Sequence, residues 1–175
     1  MIPPKGYQEV KGDLIALAKQ GEFDVITHGC NCQSIMSAGI AVPMNLHFDV
    51  SQFPMELQGR SILKLGNIDY KTINPGPVFK EIEIAGHKVV SPDFGGCELT
   101  VVNSYTQNYP SVKMKPLDYE ALTLCMRKIN SVFKGKHIGL PQIGAGLAGG
   151  DWNRIKKIII TELIDCNVTV VIYNG

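Results

Sequence analysis

The chain has 175 residues, 45% of them hydrophobic, enough for one well-buried core and too few for two ordinary domains, so residues 1–175 are expected to form a single domain. A formal net charge of +1 excludes the large basic footprint of nonspecific nucleic-acid binding and points to a small ligand. No apolar run approaches the roughly 20 residues that cross a bilayer, and Met1-Ile2-Pro3-Pro4-Lys5 lacks a signal-peptide core, so a cytoplasmic protein without a membrane partner is expected.

Apolar segments alternate between periods of two and of about 3.6, the pattern of an α/β layer structure. Tyr7 to Lys11 reads as a strand, Asp13 to Lys19 as a short helix and Asp24 to His28 as a largely buried strand. A loop follows from Ser34 to Gly39. Ile40 to Phe48 reads as a helix that tolerates Pro43 in its first turn, and Ser51 to Leu63 as another. Leu65 to Lys71 and Val78 to Ile84 read as strands joined by a turn around Asn74-Pro75-Gly76. The Gly- and Pro-rich segment Ala85 to Gly96 reads as a surface loop, and Glu98 to Tyr105 as a strand.

Pro116 to Phe133 forms a long amphipathic helix, with Pro116 in its first turn and Leu122, Cys125, Met126, Ile129, Val132 and Phe133 on one face. Lys136 to Ile143 and Val168 to Tyr173 are strands flanking a last helix that turns Trp152, Ile155, Ile159 and Leu163 inward. No repeat or low-complexity segment divides the chain, and a monomer is expected.

Five cysteines, an odd number spread over strands and helices, fit a reduced compartment better than a disulfide framework. Cys97, Cys125 and Cys166 read as core filler. Cys30-Asn31-Cys32 with His28 lacks the usual zinc spacing and a second ligand pair, so no metal and no cofactor is expected.

The most informative stretch is Gly144-Ala145-Gly146-Leu147-Ala148-Gly149-Gly150, which joins an apolar strand to a helix. Such a loop lets backbone N–H groups approach a phosphate without side chains in the way, and the following helix is expected to offer its positive end to the anion. It matches G-x-G-x-x-G, yet only one helix and one strand follow it, so its sheet partners are sought upstream. Three more loops collect unusual residues: Gly12-Asp13-Leu14, His28-Gly29-Cys30-Asn31-Cys32 and Ser37-Ala38-Gly39-Ile40-Ala41. Loops at the carboxyl ends of strands in an open α/β sheet converge on one crevice, and these residues suit a ribose diphosphate.

Val10-Lys11-Gly12-Asp13-Leu14, the strand ending in His28-Gly29-Cys30-Asn31-Cys32, then Ala38-Gly39-Ile40-Ala41 and Pro141-Gln142-Ile143-Gly144-Ala145-Gly146-Leu147 resemble the macro domain family in order and spacing over nearly the whole chain. The resemblance implies a three-layer αβα sandwich with a mixed central sheet and a cleft for ADP-ribose. The His ahead of Cys-Asn-Cys is similar to the branch that removes phosphate from ADP-ribose 1″-phosphate.

By that resemblance Asp13, next to Leu14, accepts from the adenine amino group, or it simply caps a helix. Asn31 binds hydroxyls of the distal ribose, or serves as a turn residue. Gly39, Ile40 and Ala41 form a first phosphate loop and Gly144, Ala145, Gly146 and Leu147 a second, unless these glycines only turn the chain. Tyr173 stacks on adenine, or is a buried strand tyrosine.

Phosphomonoester hydrolysis needs a positioned water, charge stabilisation and a proton for the leaving oxygen. His28 is the candidate acid or base, with a satisfied core histidine as the competing reading. Asp151 orients the water or partners His28, or caps the last helix. Where the branch acting on ADP-ribosylated carboxylates has its reactive Lys and acidic partner, this chain has Gln107 and Ala148, which argues against a covalent lysine route. Three functions are compatible with these residues: an ADP-ribose 1″-phosphate phosphatase, a noncatalytic ADP-ribose reader, and an ADP-ribosyl hydrolase acting on modified protein or nucleic acid.

Overall fold

The computed structural model describes residues 6–50, 61–76, 78–93, 98–110 and 115–175. Six strands form the main sheet: β1 (Tyr7–Lys11), β2 (Val25–Asn31), β3 (Ile68–Ile73), β6 (Leu99–Gln107), β7 (His137–Pro141) and β8 (Asn167–Ile172). Their order is β1-β8-β7-β2-β6-β3; every neighbouring pair is parallel except β3 with β6. The central strands read as continuous runs rather than alternating ones because both faces of a parallel sheet are covered. In β6 every residue from Val101 to Thr106 is buried.

Helices α1 (Leu14–Lys19) and α2 (Ala41–Phe48) close one face, where Leu14, Ile15, Ala18, Met44 and Phe48 pack on Ile26, Val101 and Val171. Helices α3 (Tyr119–Val132) and α4 (Trp152–Glu162) close the other, where Leu122, Met126, Ile129, Ile155 and Ile159 meet Val25, Val102, Ile138 and Val168. The expected three-layer αβα sandwich with a mixed sheet is thus formed. No helix among the described residues is long and apolar enough to cross a membrane.

Several boundaries differ from the sequence reading. Strand β2 runs on to Asn31, so His28 and Cys30 lie within the sheet rather than in a loop. The long helix begins at Tyr119, because the Asp118 side chain accepts from the Ala121 N–H at 2.9 Å and makes the cap there; Pro116 stays outside. Val132 is half exposed, so it leaves the apolar face.

The expected loop over Ala85 to Gly96 contains β5 (His87–Asp93), which pairs antiparallel with β4 (Val78–Ile84). Ala85 and Gly86 both adopt positive φ, 52° and 79°, the geometry of a tight two-residue hairpin turn. This hairpin is a separate sheet, whereas β3 belongs to the main one, so Asn74-Pro75-Gly76 connects two sheets.

The helix expected over Ser51 to Leu63 lies mostly outside the described residues; Ile62–Lys64 forms a single 3-10 turn capped by Ser61. Cys97 also lies outside them. The four described cysteines, Cys30, Cys32, Cys125 and Cys166, are buried and unpaired, and among the described residues no cluster of three or more ligating side chains could hold a metal.

Candidate functional site

The carboxyl ends of β1, β8, β7, β2 and β6 open on one cleft of about 710 Å³. Strand order sets its long axis. Asp13 follows β1 and Tyr173 follows β8 at one end; the glycine loop follows β7; Asn31 ends β2, and Thr106 and Gln107 end β6, at the other.

At the first end, Asp13 caps α1: its Oδ1 accepts from the N–H groups of Ile15 at 2.9 Å and Ala16 at 3.0 Å. Capping occupies only one carboxylate oxygen, so the same side chain, exposed on the cleft, keeps an acceptor for a ligand. Leu14 lines the cleft beside it while its side chain packs into the core. Tyr173 stands beyond the end of β8, 72% exposed on the cleft wall, rather than buried in the strand.

Two loops form the middle. Gly39 has φ 58° and Gly144 φ 75°, conformations other residues adopt only with strain. The loops touch: a Cβ on Gly39 would lie 3.5 Å from Leu147 Cδ1. Among the described residues the N–H groups of Gly39, Ile40 and Ala41 on one side, and of Gly146, Leu147 and Ala148 on the other, have no acceptor within the chain. Backbone donors left unpaired in this way are satisfied by solvent or by a ligand.

The α2 N-terminus adds to this field, since its capping residue Ile40 makes no side-chain bond to the helix. The expectation that α4 supplies the positive end is corrected. Asp151 closes that helix, accepting on Oδ1 from Asn153 N–H at 2.8 Å and Arg154 N–H at 3.4 Å. Asp151 lies outside the cleft, beside a smaller hollow with Lys115, Leu117, Tyr119, Gly149 and Gly150. The structure shows the helix-cap reading and leaves Asp151 out of the cleft wall.

At the far end, Asn31 is 8% exposed and clasps the loop that follows it: Oδ1 accepts from Gln33 N–H and Ile35 N–H, both at 3.1 Å, and Nδ2 donates to the Ile35 carbonyl at 2.8 Å. It lines the cleft together with Ile35 and Met36. Gln107 lines it too, its Nε2 donating to the Tyr109 carbonyl at 2.9 Å.

His28 is not brought to the site. Its exposure is zero, it contributes nothing to the cleft wall, and Nε2 bonds Asn103 Oδ1 at 2.7 Å. Burial pushes its pKa down to about 4, against the opposing hydrogen bond to Asn103. Side chains alternate across a strand, so once β2 continues past His28, Gly29 faces the cleft and the imidazole turns into the layer under α2. This is the core-histidine reading, and the acid–base role expected for His28 is withdrawn on that ground. Sequence reasoning missed Thr106, which has no motif; its place at the cleft floor comes from the pairing of β6 with β2.

No family model matches the chain. An uncharacterized 17.5 kDa protein in the tk-vs intergenic region of Enterobacteria phage T4 is 29% identical over 166 residues, covering 93% of each chain. Among solved structures, DarTG of Thermosipho africanus in complex with ADP-ribose superposes with a TM-score of 0.62, at 16% identity, over 97% of this chain and 42% of that one. The macrodomain of Thermus aquaticus DarG gives a TM-score of 0.56 at 17% identity over 97% of this chain and 98% of its own. The fold is that of the macrodomains.

Proposed function

We propose that this chain is a macrodomain that binds ADP-ribose, as the free nucleotide sugar or as a group on a macromolecule. The observation that carries the reading is the pair of facing loops whose N–H groups at Gly39, Ile40, Ala41, Gly146, Leu147 and Ala148 converge on one cleft without acceptors of their own. A diphosphate supplies acceptors to both rows at once, and the uncapped end of α2 favours its charge. Asp13 and Tyr173 then receive the adenine, one through a carboxylate oxygen and the other through a ring face. Asn31 and Gln107 meet the terminal ribose. DarTG of the same fold is in complex with ADP-ribose, which supports the choice of ligand.

Binding is favoured over turnover. Among the described residues that line the far end of the cleft, the polar side chains are carboxamides and hydroxyls, with no imidazole or carboxylate to move a proton. A second reading, hydrolysis of ADP-ribose 1″-phosphate, retains one supporting observation: the same amide rows would stabilise charge on a phosphoryl group, and Asn31 and Gln107 stand where a water could be oriented. Titration calorimetry with ADP-ribose tests the first reading, which fails if no heat of binding is seen. Phosphate release from ADP-ribose 1″-phosphate tests the second, and binding without release leaves the reader function standing.

A further inference from the structure

Behind the wall that Asn31 and Ile35 present to the cleft, a lysine is buried. Lys64 closes the 3-10 turn and is only 3% exposed. Its Nζ donates to Ser34 Oγ at 2.8 Å and lies 5.2 Å from the centroid of the Tyr105 ring, whose hydroxyl donates to the buried Asp69 Oδ2 at 3.0 Å. An ammonium withdrawn from water needs such partners, so its head is held in one place.

The residue it holds is the strained one. Ser34 has φ 59°, in the left-handed region that a serine adopts only when its surroundings impose it. Ser34 sits between Gln33 and Ile35, the two residues whose N–H groups fix Asn31 Oδ1, and its own N–H donates to the Asn31 carbonyl at 3.2 Å. If Ser34 relaxed to an extended conformation, Gln33 and Ile35 would no longer both face the Asn31 carboxamide.

We propose that Lys64 is a positioning residue for ligand recognition: by holding Ser34 in its left-handed conformation it sets Asn31 and Ile35 for the terminal sugar of the ligand. The inference rests on the ADP-ribose reading of the cleft. Because Asn31 ends β2 while Asp13 and Tyr173 lie at β1 and β8, the effect belongs to the terminal ribose and not to the adenine. A wall that is correctly set only part of the time weakens binding by that fraction.

The test is calorimetry of the full chain with ADP-ribose and with ADP, which lacks the terminal ribose. Lys64→Met and Ser34→Ala are each expected to weaken ADP-ribose by about tenfold while ADP binding changes little. Ser34→Gly, introduced into Lys64→Met, is expected to recover ADP-ribose affinity, because glycine adopts the left-handed conformation without being held. Equal ADP-ribose affinity in wild type, Lys64→Met and Ser34→Ala overturns the inference. So does a loss in Lys64→Met that is shared by ADP and not reproduced by Ser34→Ala, which is the mark of general unfolding. A wild-type chain that binds neither ligand overturns the cleft reading itself.

Discussion

His28 Nε2 and Asn103 Oδ1 meet at 2.7 Å inside the sheet, and the direction of that bond is fixed by its neighbour. Asn103 Nδ2 donates to the Val50 carbonyl at 3.0 Å, so Oδ1 is the acceptor and the neutral imidazole carries its proton on Nε2. The pair joins β2 and β6 to the segment that follows α2.

This neutral histidine makes the fold acid-sensitive. Its folded pKa, about 4, lies below the usual value near 6.5, so between the two the unfolded chain binds the proton that the folded chain refuses. Stability from this group is full above about pH 6.5 and falls by about 3 kcal/mol as the pH drops toward 4. His137, also lowered by burial, acts in the same direction. Urea unfolding across this range is expected to show the decline. His28→Gln, which keeps a donor for Asn103, is expected to flatten it and leave ADP-ribose affinity intact; a loss of affinity without a loss of stability would return His28 to the site.

The glycines of the second loop differ sharply in what they tolerate. A Cβ on Gly150 would overlap Leu117 Cδ2 and stand 2.7 Å from both the Gly144 carbonyl oxygen and Ile155 Cδ1. That carbonyl cannot retreat freely, since it accepts the Gly150 N–H at 2.8 Å. Gly150→Ala is expected to cost about 3 kcal/mol in denaturant unfolding. A Cβ on Gly146 meets nothing within 4 Å, and Gly146→Ala is expected to stay within about 0.5 kcal/mol of wild type.

Thr106 gives a prediction of opposite sign. The β2–β6 register passes from Cys30 opposite Tyr105 to Asn31 opposite Gln107, leaving Thr106 as the extra residue of a bulge. Its hydroxyl is buried without a hydrogen-bond partner among the described residues. Thr106→Val removes that unpaired group while keeping its shape, so a gain of about 1 kcal/mol, or roughly 2–4 °C in Tm, is expected. A lower Tm would show that the hydroxyl is satisfied in solution.

The layers of this fold were legible in the sequence because period and capping agree: Asp13 before α1 and Asp151 before α4 each sit one residue ahead of an apolar helical repeat. The cleft was legible as well, through glycines at strand-to-helix turns, of which Gly39 and Gly144 take positive φ. What failed were questions of extent. Whether His28 ends β2 or lies inside it depends on three further residues, Gly29, Cys30 and Asn31, whose pairing with β6 has no local signal. Asp151 and Asp13 look alike in sequence, each preceding a helix; only strand order puts one on the cleft and the other behind it. The β4–β5 hairpin escaped because its turn is Ala85-Gly86, and alanine at positive φ is not a turn signature.

The charge of the cleft leads to the last prediction. Its described lining holds no Lys or Arg and one carboxylate, Asp13, so a diphosphate bound there is held by neutral N–H groups and the end of α2. Attraction between full charges weakens as the screening length shortens with salt, while short hydrogen bonds from preoriented amides are affected far less. Raising NaCl from about 0.05 M to about 0.5 M is therefore expected to weaken ADP-ribose by less than about threefold in calorimetry. A decline of tenfold or more would require a cation at the diphosphate, and Lys115, beside the neighbouring hollow, is then the first side chain to replace.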